Sequence, residues 1–273
     1  MNTPSKLREI IAGLGSVAVA YSGGVDSSYL LAVCLDVLGP DRVLALTADS
    51  PLTPRRELAE ARTLARRLGV RHIVLPGDEL TNPAIAANPP DRCYHCKLGR
   101  FTALWEAARA EGLAHLVHGE NADDAGDYRP GSRAAEELGV RAPLREAGLT
   151  KAEIRALSKA WGLPTWDKPA NACLATRFPY HTPLSAAGLA RVEAAEEALR
   201  DAWQLAQLRL RAHGSVARIE VPPEEIARLA QLPARTAAVE ALRALGYRYV
   251  TLDLMGYRMG SLNDELESAG EPR

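Results

Sequence analysis

Val17-Ala18-Val19-Ala20-Tyr21-Ser22-Gly23-Gly24-Val25-Asp26-Ser27 joins an apolar run to a Ser/Gly turn, and Tyr29 to Val33 opens a second apolar run directly afterwards. That order predicts a strand, a tight turn and a helix of about three turns. Such a junction binds anions. Backbone N–H groups in the turn point at the ligand, and the helix dipole adds roughly half a positive charge there. Gly23 and Gly24 permit close backbone approach, and Ser22 and Ser27 carry hydroxyl donors. Asp26 suits a phosphate site when a divalent cation lies between carboxylate and phosphate. No Gly-Lys-Ser/Thr follows, so the spacing is not that of a Walker A loop. The plainer alternative is an ordinary turn with a Ser/Asp helix cap.

The chain has 273 residues, 47% hydrophobic and 25% charged, with a formal net charge of -1 and a pI near 6.6. This is the composition of a globular enzyme with room for one large or two smaller domains. Near-neutral charge argues against a wholesale nucleic-acid binder. Neither a signal peptide nor a run of ~20 apolar residues is visible, so a cytoplasmic location without a membrane partner is expected. Cys34, Cys93, Cys96 and Cys173 are too few for a disulfide scaffold and read as buried, metal-binding or catalytic.

Working outward, residues 4–14 predict a short amphipathic helix, 42–47 a second strand, 54–68 a helix and 70–75 a third strand. This β-α-β-α-β order implies a parallel sheet with helices on both faces and a ligand beyond the C-terminal strand ends. A Pro-marked loop from Asn88 feeds a helix to about Ala110, and a fourth strand at 115–119 delivers Gly119, Asn121 and Asp124. Residues 126–134 read as loop. Thr150-Lys151-Ala152-Glu153 is a capping box for a helix to about Trp161. Residues 164–180 lack periodicity, which marks a functional loop inside a compact domain. Composition shifts after Pro183. A charged helix at 184–203, a strand pair at 205–212 and 215–221, helices at 222–232 and 233–245, and a strand at 247–254 predict a smaller α+β domain. The expected boundaries are 1–180 and 181–273.

Cys93 and Cys96 form a C-x-x-C unit, a weak signal alone because a closed zinc site needs a second pair. Cys34 lies on an apolar helix and reads as core. Cys173 lies in the Pro-rich loop near Thr176 and Arg177, where a cation favours a thiolate. It reads as a nucleophile or sulfur donor, as a third iron–sulfur ligand beside Cys93 and Cys96, or as a structural cysteine. Arg209, Arg211 and His213 share one strand face, suited to a phosphate or to solvent. Glu193, Glu196 and Glu197 offer either a cation site or a solvated helix face.

These residues resemble a known family. SGGVDS (22–27) is similar to the SGGxDS pyrophosphate-binding loop of the PP-loop ATP pyrophosphatases. ADSP (48–51), NPPDRCYHCK (88–97), HGENADD (118–124), DYRPG (127–131), PANACLATRFPY (169–180) and LRLRAHGSVARIEV (208–221) extend the resemblance to the LarE family of ATP-dependent sacrificial sulfur transferases. The resemblance implies the adenine nucleotide alpha hydrolase-like fold and adenylation of a carboxylate of pyridinium-3,5-dicarboxylate mononucleotide. Sulfur then replaces AMP to give a thiocarboxylate, on the way to the nickel-pincer cofactor of lactate racemase. It further implies ATP and Mg²⁺ as cofactors and a homo-oligomer acting on a small molecule. In residues, it implies nucleotide binding by Ser22, Gly23, Gly24, Asp26, Ser27, Asp49, Ser50, Gly119, Asn121 and Asp124. Substrate phosphate is expected at Arg209 and Arg211, while the cation expected at Glu197 comes from the acidic helix face alone. One branch of the family donates the sulfur of the cysteine matching Cys173, leaving dehydroalanine. Another uses three cysteines, here Cys93, Cys96 and Cys173, to hold a [4Fe-4S] cluster carrying a transferable sulfide. Rival readings are a tRNA sulfurtransferase of the same superfamily, a glutamine-dependent ligase, and a nucleotide-binding regulatory protein without turnover.

Overall fold

The computed structural model describes residues 3–126, 130–169, 172–205, 207–258 and 261–263. Two stretches of the expected motifs, Asp127 to Arg129 and Ala170 with Asn171, lie outside the described residues. In chain order the elements are α1 (Ser5–Ala12), β1 (Val17–Ala20), α2 (Val25–Leu38), β2 (Val43–Asp49), α3 (Arg55–Arg67), β3 (Arg71–Pro76), α4 (Pro83–Ala86) and α5 (Arg92–Ala110). Next come β4 (Leu116–His118), α6 (Pro130–Glu137), α7 (Pro143–Glu146) and α8 (Lys151–Ala160). The chain continues with α9 (Ala186–Trp203), β5 (Arg209–His213), β6 (Val216–Glu220), α10 (Ile226–Leu229), α11 (Ala234–Ala244) and β7 (Tyr249–Leu252). The described residues form two compact units, one drawn from 1–79 with 91–171 and the other from 80–90 with 172–273. The sequence reading set one boundary at 180, whereas the cysteine segment and the short stretch 80–90 both pack with the second unit.

In the first unit the sheet runs β3-β2-β1-β4, all parallel. β1 lies centrally and is apolar at every position because both its faces are covered. Val17 and Val19 pack with Leu7 and Ile11 of α1, Leu30, Leu31 and Val33 of α2, and Ile154 of α8. Ala18 faces the other way, toward Phe101 and Leu104 of α5 and Ala135 of α6. Fully burying a leucine such as Leu30 contributes about 1.5–3 kcal/mol. Cys34 is fully buried in this core, where desolvation pushes its thiol pKa up. The capping box at Thr150 and Glu153 is formed in both directions.

Two local expectations are corrected. Residues 126–134 are not all loop, since α6 starts at Pro130, whose missing N–H costs nothing at a first helical position. The long helix expected from Pro222 is a 3-10 turn, Pro223–Glu225, followed by the single turn of α10.

The second unit has a three-stranded sheet, β5-β6-β7, with β5 and β6 antiparallel across Gly214 at φ 61° and β6 and β7 parallel. From the stretch 80–90, Asn88 donates its Nδ2 to Pro179 O at 2.7 Å and accepts from His181 N at 2.9 Å. Among the described residues no helix is long and apolar enough to cross a membrane.

Candidate active site

In the first unit, β1 ends at a turn whose geometry needs glycine. Gly23 has φ 73°, and a Cβ there would lie 2.7 Å from Ala61 Cβ of α3. The Ser22 and Ser27 hydroxyls are 3.0 Å apart, Ser22 N donates to Ser27 Oγ at 3.3 Å, and Gly24 N points at Ser22 Oγ at 3.4 Å. The two serines therefore stitch the turn into a closed cradle. Among the described residues no side chain caps the N-terminus of α2 at Gly24, so its first-turn N–H groups suit an external acceptor. Gly119, just past β4, takes part by having no side chain: a Cβ there would lie 2.8 Å from Ser27 N.

Asp26 accepts from Lys151 Nζ through Oδ2 at 2.6 Å, while its buried Oδ1 has no hydrogen-bond partner among the described residues. A buried carboxylate oxygen left without a donor, beside an anion cradle, fits a divalent cation. Lys168 Nζ donates to Gly23 O at 3.2 Å and lies 2.6 and 2.8 Å from Glu57 and Glu60 Oε2. Arg155 holds the backbone before it, donating to Trp166 O and Lys168 O at 2.8 Å each. Lys151 and Lys168 were not singled out from the sequence. With only five lysines in the chain, two of them on the loop is the clue that was available.

The expected nucleotide residues sit at strand ends. Asp49 closes β2 and pairs with Arg55, with Arg62 3.8 Å away. Ser50 is fully buried and its Oγ accepts from Leu52 N at 3.1 Å. After β4, Asn121 Oδ1 accepts from Asp123 N and Asp124 Oδ2 from Asn121 N, both at 3.0 Å. Asp123 Oδ2 also accepts from Lys151 N at 2.8 Å, fixing the start of α8 beside the cradle. Asn121 and Asp124 thus shape a turn, and the structure brings them to the same sheet edge as the loop.

His118, at the end of β4, lies 3.6 Å from Glu120 Oε2. The pair is not ionic, because burial, then the charges of Lys97 and Arg145, push the imidazole pKa down from 6.5 to about 3. The folded state disfavours the imidazolium, so unfolding takes up a proton. Stability is full above pH 6.5 and is lost as pH falls toward 3, by up to about 1.4 kcal/mol per pH unit. His118→Gln should flatten the dependence of the urea midpoint on pH between 6.5 and 4. An unchanged dependence would show that His118 titrates normally.

In the second unit Cys173 is partly exposed and starts the 3-10 turn Leu174–Arg177. Thr176 Oγ1 and N both donate to Cys173 O, at 2.8 and 3.1 Å. Arg177 reaches the cysteine through its backbone oxygen. Its fully buried guanidinium forks onto Glu196 at 2.8 and 3.0 Å, and Nη1 donates to Ala172 O at 2.9 Å and Cys173 O at 3.2 Å. Glu196 also accepts from Arg200 Nη2 at 2.8 Å and Leu210 N at 3.0 Å. Burial raises its pKa, but Arg177, Arg200 and Leu210 outweigh that and hold the carboxyl below its usual range. The helix face expected to be solvated at Glu196 is therefore a buried ion-pair site. Glu197 is tied to Arg200 at 2.6 Å.

Arg209 and Arg211 do share a face of β5, and both are buried. Arg209 donates to Leu208 O at 2.9 Å and lies 5.4 Å from the Tyr257 ring centroid. Burial, then the neighbouring charge of Arg177, pushes its pKa down to about 10. Arg211 forks onto Glu220 at 3.0 and 2.8 Å and donates to Thr176 O at 2.6 Å and Ser261 Oγ at 3.0 Å. His213, next on that face, is exposed.

Cys93 and Cys96 lie in the first two turns of α5, three residues apart and so on neighbouring positions of one helix face. Arg100 Nη2 points at Cys96 Sγ at 3.7 Å, and Arg92 Nη2 lies 4.0 Å from Cys93 Sγ. Among the described residues no group of three or more His, Cys, Asp or Glu side chains is arranged to hold a metal ion.

A parallel α/β sheet with an SGGVDS cradle at a central strand end defines an ATP-using PP-loop protein. The NAD synthase family model matches residues 5–86. An NH(3)-dependent NAD(+) synthetase of Hyperthermus butylicus is 32% identical over 161 residues, 56% of each chain. Over 257 residues the chain is 43% identical to an uncharacterized protein of Synechocystis, covering 94% of this chain and 95% of that one. It is 40% identical over 256 residues to the pyridinium-3,5-bisthiocarboxylic acid mononucleotide synthase of Lactiplantibacillus plantarum, covering 94% of this chain and 92% of the synthase. The chain belongs to the LarE family of PP-loop sulfur transferases, of which that synthase is a member.

Proposed function

We propose that the protein uses ATP to adenylate a carboxylate of pyridinium-3,5-dicarboxylate mononucleotide and converts it to a thiocarboxylate. The observation that carries this reading is the complete 22–27 cradle in a chain 40% identical, along 94% of its length, to a synthase named for the bisthiocarboxylic acid mononucleotide. A carboxylate is a poor electrophile, and adenylation turns one oxygen into part of a good leaving group. The substrate carboxylate attacks the α-phosphorus, and pyrophosphate departs into the cradle formed by Ser22, Gly23, Gly24 and Ser27. A divalent cation held by Asp26 would offset the charge of the departing pyrophosphate. Asp49, Ser50, Gly119, Asn121 and Asp124 shape the rest of the nucleotide site.

For sulfur, the Cys173 thiolate attacks the acyl carbon and expels AMP, forming a thioester. Loss of the Cys173 α-proton then breaks the Cβ–S bond, releasing the thiocarboxylate and leaving dehydroalanine. The alternative source is a sulfide on a [4Fe-4S] cluster ligated by Cys93, Cys96 and Cys173. Self-association through the second unit belongs to the same reading, supported by exposed Leu254 and Met255.

Pyrophosphate release on adding the dicarboxylate nucleotide, with tRNA unable to replace it, tests the assignment. Release without added nucleotide, or with tRNA, would overturn it. Arg209 is the residue we place at the substrate phosphate. It is buried on the β5 face that it shares with Arg211, where a phosphate brought beside it would add a charge-assisted contact. Arg209→Ala should weaken substrate binding about ten- to 150-fold, as expected for a lost charge-assisted contact, and leave ATP binding intact. Equal loss of both ligands in calorimetric titrations would return Arg209 to the fold.

A further inference from the structure

We propose that Arg177 and Arg211 are positioning residues for Cys173, two buried forks that fix the cysteine segment from beneath. This inference rests on the assignment of sulfur transfer to Cys173. Each guanidinium spends two N–H groups on a buried glutamate, Arg177 on Glu196 and Arg211 on Glu220. Each then aims Nη1 at backbone oxygens of the segment. Arg177 takes Ala172 O and Cys173 O, and Arg211 takes Thr176 O at 2.6 Å. Arg177 Nη1 also reaches Thr176 Oγ1 at 3.0 Å, and that hydroxyl in turn holds Cys173 O.

Only a planar fork can pair with a carboxylate through one edge and hold carbonyl oxygens with its remaining N–H groups. Lysine has one ammonium and lacks this geometry. Arg211 matches the strand position at which the family resemblance expects a phosphate ligand. Four of its N–H groups bond Glu220, Thr176 and Ser261, so Arg211 also ties the cysteine segment to β5. Sulfur transfer needs the thiolate held in line with an acyl carbon, and a misplacement of about 1 Å can cost about 10²-fold in rate.

The test compares Arg177→Lys, Arg211→Lys and Glu220→Gln with the parent enzyme, reading iodoacetamide alkylation of Cys173 with neither nucleotide nor substrate present. Glu220→Gln leaves Arg211 in place and removes the charge that pairs with it and with Arg218, so it serves if an arginine variant folds poorly. All three should alkylate faster than the parent at a temperature where circular dichroism shows each of them folded. Single-turnover thiocarboxylate formation by Arg177→Lys and Glu220→Gln should fall roughly tenfold or more, with the half-saturating substrate concentration and pyrophosphate release unchanged. Parental alkylation rates in all three variants would overturn the positioning role. So would a rise in half-saturating concentration alone, which would mark Arg211 and Glu220 as part of substrate binding. If sulfur transfer does not use Cys173 at all, Cys173→Ser retains full thiocarboxylate formation. That outcome fails the underlying reading while the alkylation comparison still stands.

Discussion

Asp26→Ala is expected to reduce ATP-dependent pyrophosphate release by about 10²-fold or more, the scale seen when one preorganised electrostatic contact to a developing charge is removed. Two geometric facts set this expectation. Asp26 Oδ1 is buried beside the cradle without a donor among the described residues, and Oδ2 holds Lys151 at 2.6 Å. The substitution therefore removes the oxygen proposed to hold the cation and releases an ammonium from its place beside the loop. Ser27→Ala should act in the same direction, since Ser27 Oγ is joined to Ser22 on one side and Gly24 O on the other. Pyrophosphate release measured with saturating substrate checks both, with circular dichroism to confirm the fold. Near-parental release by both variants would separate the loop from the chemistry.

Cys173→Ser is expected to keep adenylation and lose thiocarboxylate formation, because activation and sulfur delivery use different groups. Mass spectrometry of the parent after turnover then identifies the sulfur source. Donation of the cysteine's own sulfur leaves a chain about 34 Da lighter, the mass of H₂S lost when cysteine becomes dehydroalanine. Delivery from a cluster keeps all four thiols and repeats with added sulfide. Cys93→Ser and Cys96→Ser are silent in the first case and lose iron in the second, since a hydroxyl replaces a thiolate ligand poorly. Full sulfur transfer by Cys173→Ser would remove the cysteine from the mechanism in either case.

The parts of the fold readable from sequence are those written in contiguous residues. β1, the cradle and α2 occupy one stretch of chain, and Thr150 with Glu153 form their box within one turn. The groups that complete the cradle are not contiguous with it. Lys151 meets Asp26 from 125 positions away and Lys168 meets Gly23 from 145 positions away, and no local period encodes such a meeting. Arg209 and Arg211 were legible as neighbours on one strand face, but their burial was not. Alternation fixes which residues share a face, whereas burial depends on partners such as Glu220 and Thr176 arriving from elsewhere. Glu196 shows the same gap. Its helix spacing suggests a solvated face, and partners from outside its helix, Arg177 nineteen positions earlier and Leu210 N, help to make it a buried anion.

The stretch 80–90 separates the order of synthesis from the order of folding. It is made between two parts of the nucleotide unit, yet Asn88 finds its partners at Pro179 and His181, and Ala86 O finds Leu184 N. On a ribosome these residues emerge long before their partners, at about 5–20 residues per second. The nucleotide unit must therefore bring 91–171 into register with 1–79 across a stretch still lacking its own contacts. The second unit cannot be obtained by simple truncation either. A fragment beginning at 172 would lack the chain that satisfies Pro179 O and Leu184 N, and adding 80–90 as a separate peptide should restore its cooperative unfolding.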